Sequence, residues 1–195
     1  MPEVSGLKSY FNFKNLLTSD LRPQTFGMKI FLIGFMGSGK TYWGRKLSQK
    51  LDIPFFDLDE QAASYAGKTI DEIFAAEGEE YFRLLEKDTL RSITESNNSF
   101  VMATGGGTPC YFNNIEYMHK TGTTLWLNTP IDLLFERLLK ERKKRPLLKN
   151  LTDAQLKGFI IKKFADRKIY YEQADIVMDK NPVELEKLVE KIFHA

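Results

Sequence analysis

Short apolar runs alternate along the chain with longer stretches in which apolar residues recur every three or four positions. The first run, Lys29-Ile30-Phe31-Leu32-Ile33, reads as a strand buried on both faces. Residues 41–51 then read as a helix, and residues 53–59 as a short second strand ending in acids. Ile70, Ile73 and Phe74 fall at helical spacing over 70–77, and Phe82, Leu85 and Leu90 continue as a longer helix over 79–93. Residues 100–104 predict a third strand running into Gly105-Gly106-Gly107, followed by a helix over 113–119. Residues 123–127 predict a fourth strand with a helix after Pro130, 175–178 a fifth strand, and 182–193 a closing amphipathic helix. Strand and helix in alternation predict an α/β fold, a three-layer α/β/α arrangement around a five-stranded parallel sheet. No internal repeat or low-complexity linker divides it, so one domain is expected.

Composition narrows the function classes. At 195 residues, 43% hydrophobic and 28% charged, the chain has the make-up of a globular protein with a sizeable core. A net charge of +2 leaves no electrostatic footprint for nucleic acid or an anionic membrane. No apolar run approaches the roughly 18 residues of a membrane span. The single cysteine, Cys110, excludes an intramolecular disulfide framework, fits a reducing compartment and reads as a packing residue. Residues 1–27 lack a continuous apolar segment, so a secretory signal is not expected. They carry Lys8, Lys14 and Arg22, but also Glu3 and Asp20, which weigh against an organelle-targeting peptide. A cytoplasmic location is the expectation.

One motif carries specific chemistry. Gly34-Phe35-Met36-Gly37-Ser38-Gly39-Lys40-Thr41 matches the phosphate-binding loop G-x-x-x-x-G-K-[ST], in the strand–loop–helix context it requires. By composition alone the pattern arises in under about 1% of chains this long. Glycines there let successive N–H groups turn toward an anion at a helix N-terminus, where the dipole also favours negative charge. Lys40 would reach the β- and γ-phosphates and Thr41 would hold Mg²⁺.

Around it stand weaker signals. Asp57 and Asp59 are one residue apart, so on an extended backbone they point to the same side. They are either an acidic strand end or a pair that supports a metal and orients a hydroxyl nucleophile. The third strand ends without the usual Walker B aspartate, which makes Asp57 the nearest candidate for the metal. Gly105-Gly106-Gly107 reads as a tight loop or as a place where a ligand approaches the backbone. Arg83 reads as a surface arginine with a carboxylate partner, and Arg167 is unremarkable alone. The run Lys140-Glu141-Arg142-Lys143-Lys144-Arg145-Pro146 is a solvated basic face or part of a mobile lid. In open α/β sheets ligands sit outside the carboxyl ends of the strands, where the phosphate loop, the two acids and the triple glycine all fall.

Taken in order, these residues resemble the shikimate kinases over about residues 28–193. The resemblance rests on residues 34–41, Asp57-Leu58-Asp59, Ile73-Phe74, Glu79-Glu80-Tyr81-Phe82-Arg83 with Glu86, the triple glycine, Arg145-Pro146-Leu147-Leu148, and Arg167 with Tyr170-Tyr171. It implies a P-loop kinase fold of the nucleoside-monophosphate-kinase type with a lid, at about 140–153. It further implies transfer of the ATP γ-phosphoryl group to the 3-hydroxyl of shikimate, in chorismate and aromatic amino-acid biosynthesis. Lys40 would then contact phosphates within a donor set of Gly37, Ser38, Gly39, Thr41 and Tyr42. Arg145 would act from the lid, and Arg137 would lie against adenine. Thr41 and Asp57 would hold Mg²⁺, the latter through water. Asp59 would bind the acceptor hydroxyls and orient or deprotonate the attacking one. Arg83 and Arg167 would grip the substrate carboxylate, with Gly105, Gly106 and Gly107 lining the pocket. The implied partners are shikimate and ATP, with no nucleic acid or membrane, and the protein is expected to be a monomer.

Tyr42 stands where that family usually has a small hydroxyl residue, Trp43 is bulkier than expected, the lid is Lys-rich, and the loop at Asp179-Lys180-Asn181-Pro182 is short. Residues 1–27 lie outside the resemblance and read as an appended or mis-started segment before Met28. A gluconate-kinase-like enzyme and a non-catalytic nucleotide-dependent module are the competing readings.

Overall fold

The computed structural model describes residues 27–142, 148–179 and 183–194. Five parallel strands, β1 (Lys29–Ile33), β2 (Phe55–Asp57), β3 (Phe100–Ala103), β4 (Thr123–Leu127) and β5 (Ile176–Met178), form one sheet in the order β2-β3-β1-β4-β5. The central strand shows why. Ile30 and Leu32 enter one core with Leu47, Leu51, Leu188 and Val189, while Phe31 and Ile33 enter another with Leu90, Met118, Leu134 and Tyr171. A strand with both faces covered must be apolar throughout, and residues 30–33 are fully buried.

The covering helices are α1 (Lys40–Leu51) and α7 (Leu185–Phe193) on the first face. On the second lie the later part of α3 (Ile70–Ser96), α4 (Asn114–Thr121), α5 (Ile131–Glu141) and α6 (Asp153–Tyr171). The helix α2 (Leu58–Ala66) packs with the first half of α3 around a small third cluster of Ala62, Ile73, Phe82 and Leu85. The expected α/β/α architecture is therefore present.

Two differences from the sequence reading matter for the site. The second strand stops at Asp57, and the chain turns directly into α2, with Asp57 capping the N–H groups of Asp59 and Glu60. Asp59 is therefore helical. It does not share a face with Asp57 through strand alternation, because the side-chain cap wins over continued extension. The helices read over 70–77 and 79–93 join as α3 across Gly78, whose φ of 83° and ψ of 177° interrupt the helical backbone. Helices α2 and α6 were not anticipated by the periodicity.

Sheet register sets the site. Leu32 of β1 and Asp57 of β2 both pair with Ala103 of β3, so all three strands end at one level. The loops leaving them, at Gly34, Leu58 and Thr104, share one edge of the sheet.

Candidate active site

The phosphate loop spans the end of β1 and the start of α1. Gly37 and Gly39 have φ of 79° and 94°, which side-chain-bearing residues rarely adopt. The N-terminus of α1 has no side-chain cap and no acid in its first turn, whereas α3 and α6 begin with capping boxes (Thr69/Glu72 and Thr152/Gln155). No side-chain cap or acid of its own first turn competes there with an anion. The Ser38 hydroxyl is buried without a hydrogen-bond partner among the described residues. Lys40 Nζ donates to the Gly34 and Phe35 carbonyls at 2.8 and 2.9 Å, which holds the ammonium across the loop. Arg137 donates to Gly37 O at 3.0 Å from α5. Gly37, Gly39, Lys40 and Arg137, with Tyr42, Trp43 and Thr104, wall a cleft of about 470 Å³.

Thr41 Oγ1 donates to Asp57 Oδ2 at 2.7 Å, so the predicted metal pair is brought together. A hydroxyl and a carboxylate, completed by water and phosphate oxygens, fit Mg²⁺, which keeps several waters and needs few protein ligands. No cluster of three or more His, Cys, Asp or Glu able to hold a metal occurs among the described residues.

A second pocket of about 540 Å³ lies beside the first. Its polar wall is Asp59, Asp71, Arg83, Glu86 and Arg167 with the triple glycine, and Ile70, Phe74, Phe82 and Leu148 supply apolar surface. Asp59, Met36 and Gly106 line both cavities. Burial, then the neighbouring carboxylates Glu86 and Asp57, push the Asp59 carboxyl from an ordinary 3.8 up to about 6, against the pull of Lys40 and Arg83.

Arg83 is not the surface arginine its spacing implied. It is 8% exposed, and NH1 donates to Glu86 Oε2 at 2.9 Å while NH2 and Nε donate to Glu79 Oε1 at 3.1 and 3.3 Å. Burial opposes its charge, but Glu86 and Glu79 outweigh that and raise its pKa. Glu86 is itself fully buried and also accepts the Thr108 hydroxyl hydrogen bond. Sequence reasoning names Glu86 only among the residues of the family resemblance and assigns it no function; its signal is the i,i+3 spacing to Arg83.

The glycines admit protein side chains as much as a ligand. A Cβ on Gly105 would collide with Glu86 Oε1 and stand 3.0 Å from Asp59 Oδ1, and one on Gly107 would stand 2.9 Å from Arg83 NH2. One on Gly106 would stand 3.3 Å from Arg167 NH1. The Tyr171 hydroxyl donates to Gly106 O at 2.5 Å and anchors the loop. Burial pushes the Tyr171 phenol well above its ordinary range. Arg167 also lines the second pocket and lies over the Phe35 ring at 5.7 Å. Cys110 is half-buried, and burial lifts its thiol to about 11, which suits the packing residue expected. Arg145 and Lys180-Asn181-Pro182 lie outside the described residues.

A P-loop on a parallel sheet, sharing an aspartate with a second pocket that carries two arginines, defines a small-molecule phosphotransferase. The comparisons with known proteins narrow that class. The family model described as shikimate kinase matches residues 36–195. The chain is 41% identical over 165 residues to the shikimate kinase of Azobacteroides pseudotrichonymphae, covering 85% of this chain and 97% of that one. The crystal structure of shikimate kinase from Bacteroides thetaiotaomicron superposes with a TM-score of 0.78 at 37% identity, over 86% of this chain and 97% of that one. Shikimate kinase from Acinetobacter baumannii, solved in complex with shikimate, gives 0.76 at 33% identity, over 89% and 95%. The chain belongs to the shikimate kinase family, and is an ATP-dependent kinase.

Proposed function

We propose that this protein transfers the γ-phosphoryl group of ATP to the 3-hydroxyl of shikimate, giving shikimate 3-phosphate and ADP, within chorismate and aromatic amino-acid biosynthesis. The observation that carries this reading is Asp59, a buried carboxylate common to the walls of both cavities. A base there faces the acceptor hydroxyl on one side and the donor phosphate on the other.

The triphosphate sits in the N–H cradle of the loop, with Gly37, Ser38 and Gly39 donating and Lys40 neutralising the β- and γ-oxygens. Tyr42 and Arg137 complete the donor wall. Bound Mg²⁺, held by Thr41 and through water by Asp57, would supply further charge neutralisation on the phosphates. Arg83 and Arg167 bind the acceptor carboxylate, since guanidinium matches carboxylate geometry. Asp59 accepts the proton of the 3-hydroxyl as its oxygen bonds to the γ-phosphorus. The bond from that phosphorus to the bridging oxygen breaks, and ADP leaves. A carboxyl near 6 is ionised at neutral pH yet more basic than an ordinary aspartate.

The segment at about 140–153 is proposed as the lid, with Arg145 acting on the phosphates and the closed lid excluding water. Residues 1–27 are proposed to be dispensable. The protein is proposed to act as a cytoplasmic monomer; no helix among the described residues is long and apolar enough to cross a membrane. A coupled ADP-release assay tests the acceptor: turnover with shikimate and none with gluconate is expected, and no turnover with shikimate contradicts the proposal.

A further inference from the structure

Arg83 is held from a side that the acceptor pocket does not reach. Arg83, Glu86 and Gly107 line that pocket, whereas Glu79 and Tyr111 do not. Tyr111 follows the short 3-10 turn Thr108–Cys110 that leaves the triple glycine. Its ring centroid lies 4.6 Å from Arg83 Cζ, and its hydroxyl donates to Glu79 Oε1 at 3.2 Å. The same Glu79 oxygen accepts from Arg83 Nε and NH2. One tyrosine therefore contacts both members of the Arg83–Glu79 pair, and it comes from a different element than the helix carrying them.

The consequence for Arg83 follows from its hydrogen-bond inventory. A guanidinium has five N–H groups. Two go to Glu79 and one to Glu86, which leaves two, one on each terminal nitrogen. Gly107, on the pocket wall, packs against this group: a Cβ there would stand 2.9 Å from NH2 and 3.0 Å from both Cζ and NH1, so only a glycine lets the loop lie this close to the guanidinium. Two adjacent N–H groups in one plane suit a carboxylate bidentately. An unrestrained arginine would lose substantial rotamer freedom on making that contact.

We propose that Tyr111 is a positioning residue for the acceptor: with Glu79 it clamps the Arg83 guanidinium from behind, so that its free fork is aimed at the substrate carboxylate before binding. This rests on the reading of Arg83 as the carboxylate grip. Removing the clamp weakens capture of the acceptor and leaves the donor site untouched.

Steady-state kinetics with shikimate and ATP, alongside thermal melting, test it. Tyr111→Leu removes ring and hydroxyl, and should raise KM for shikimate roughly 3- to 10-fold with kcat and KM for ATP unchanged. Tyr111→Phe keeps the stack and loses only the hydroxyl bond, so an intermediate rise of roughly 2- to 3-fold is expected. Glu79→Gln should also raise KM for shikimate. An unchanged KM in Tyr111→Leu, whatever its melting temperature, overturns the clamp. So does a lowered KM in Glu79→Gln, which would make Glu79 a competitor for the fork. Arg83→Lys separates the two layers. If it leaves KM for shikimate unchanged, the carboxylate-grip reading fails; if it raises KM while Tyr111→Leu does not, only the clamp fails.

Discussion

Glu86 is fully buried, with one oxygen taking the Arg83 N–H and the other the Thr108 hydroxyl. Deleting Arg83 strands that carboxylate, and breaking a buried pair from one side costs about 3–5 kcal/mol. Arg83→Ala should therefore lower the melting temperature as well as weaken shikimate binding far more than ATP binding; equal losses for both substrates in titration would count against its assignment. Asp59 works in the opposite sense. Its folded pKa of about 6 lies above the ordinary 3.8, so the folded state holds the proton more tightly. Stability contributed by the neutral carboxyl is complete below pH 3.8 and lost as pH rises through 6. In metal-free protein at pH 7–8, Asp59→Asn should then gain roughly 2–3 kcal/mol, with the gain vanishing below about pH 4. The same variant should lose roughly 10²–10⁴-fold in turnover while still binding ATP. Melting curves across pH, set beside the ADP-release rate, check both; a variant that is active and no more stable would remove Asp59 from its assigned place.

The elements explain which parts of the site could be read in advance. The inner strands β1, β3 and β4 are buried and leave continuous apolar runs, the edge strands β2 and β5 leave shorter ones, and all five were visible, as was the P-loop that must follow β1. The start of α2 was hidden, because Asp57-Leu58-Asp59 reads equally as a strand end. The signal that distinguishes it is an N-cap aspartate followed three residues later by Glu60. Helix α6 spreads its apolar residues round the axis, leaving Ile161 and Ile169 exposed, and only its Thr152/Gln155 capping box marks it. Arg83 was legible as a residue but not as a buried one, since Tyr111 reaches it, and Thr108 reaches its partner Glu86, only through tertiary packing. Two glycines separate backbone need from mere openness, as neither would place a Cβ near other atoms. Gly78 has φ 83° and ψ 177°, so Gly78→Ala should lower stability by about 1–3 kcal/mol. Gly158 sits exposed within α6, and Gly158→Ala should raise stability by about 0.5–1 kcal/mol. Paired denaturant titrations check the contrast, and equal shifts would contradict it.

At the scale of the whole molecule, parallel register brings three loops to one edge and sets two cavities side by side, with Asp59 between them. The sheet begins at its first pairing, where Phe100 N donates to Met28 O. A chain starting at Met28 should thus match the full chain in activity and melting temperature; a clear loss of either would give residues 1–27 a function. One site should therefore pass phosphate from ATP to shikimate rather than to water. Phosphorus NMR of the protein with ATP, Mg²⁺ and shikimate tests it most directly. ADP and a phosphate monoester of shikimate should accumulate together in equal amounts, with inorganic phosphate negligible. Inorganic phosphate as the product, or ATP left intact, would contradict it.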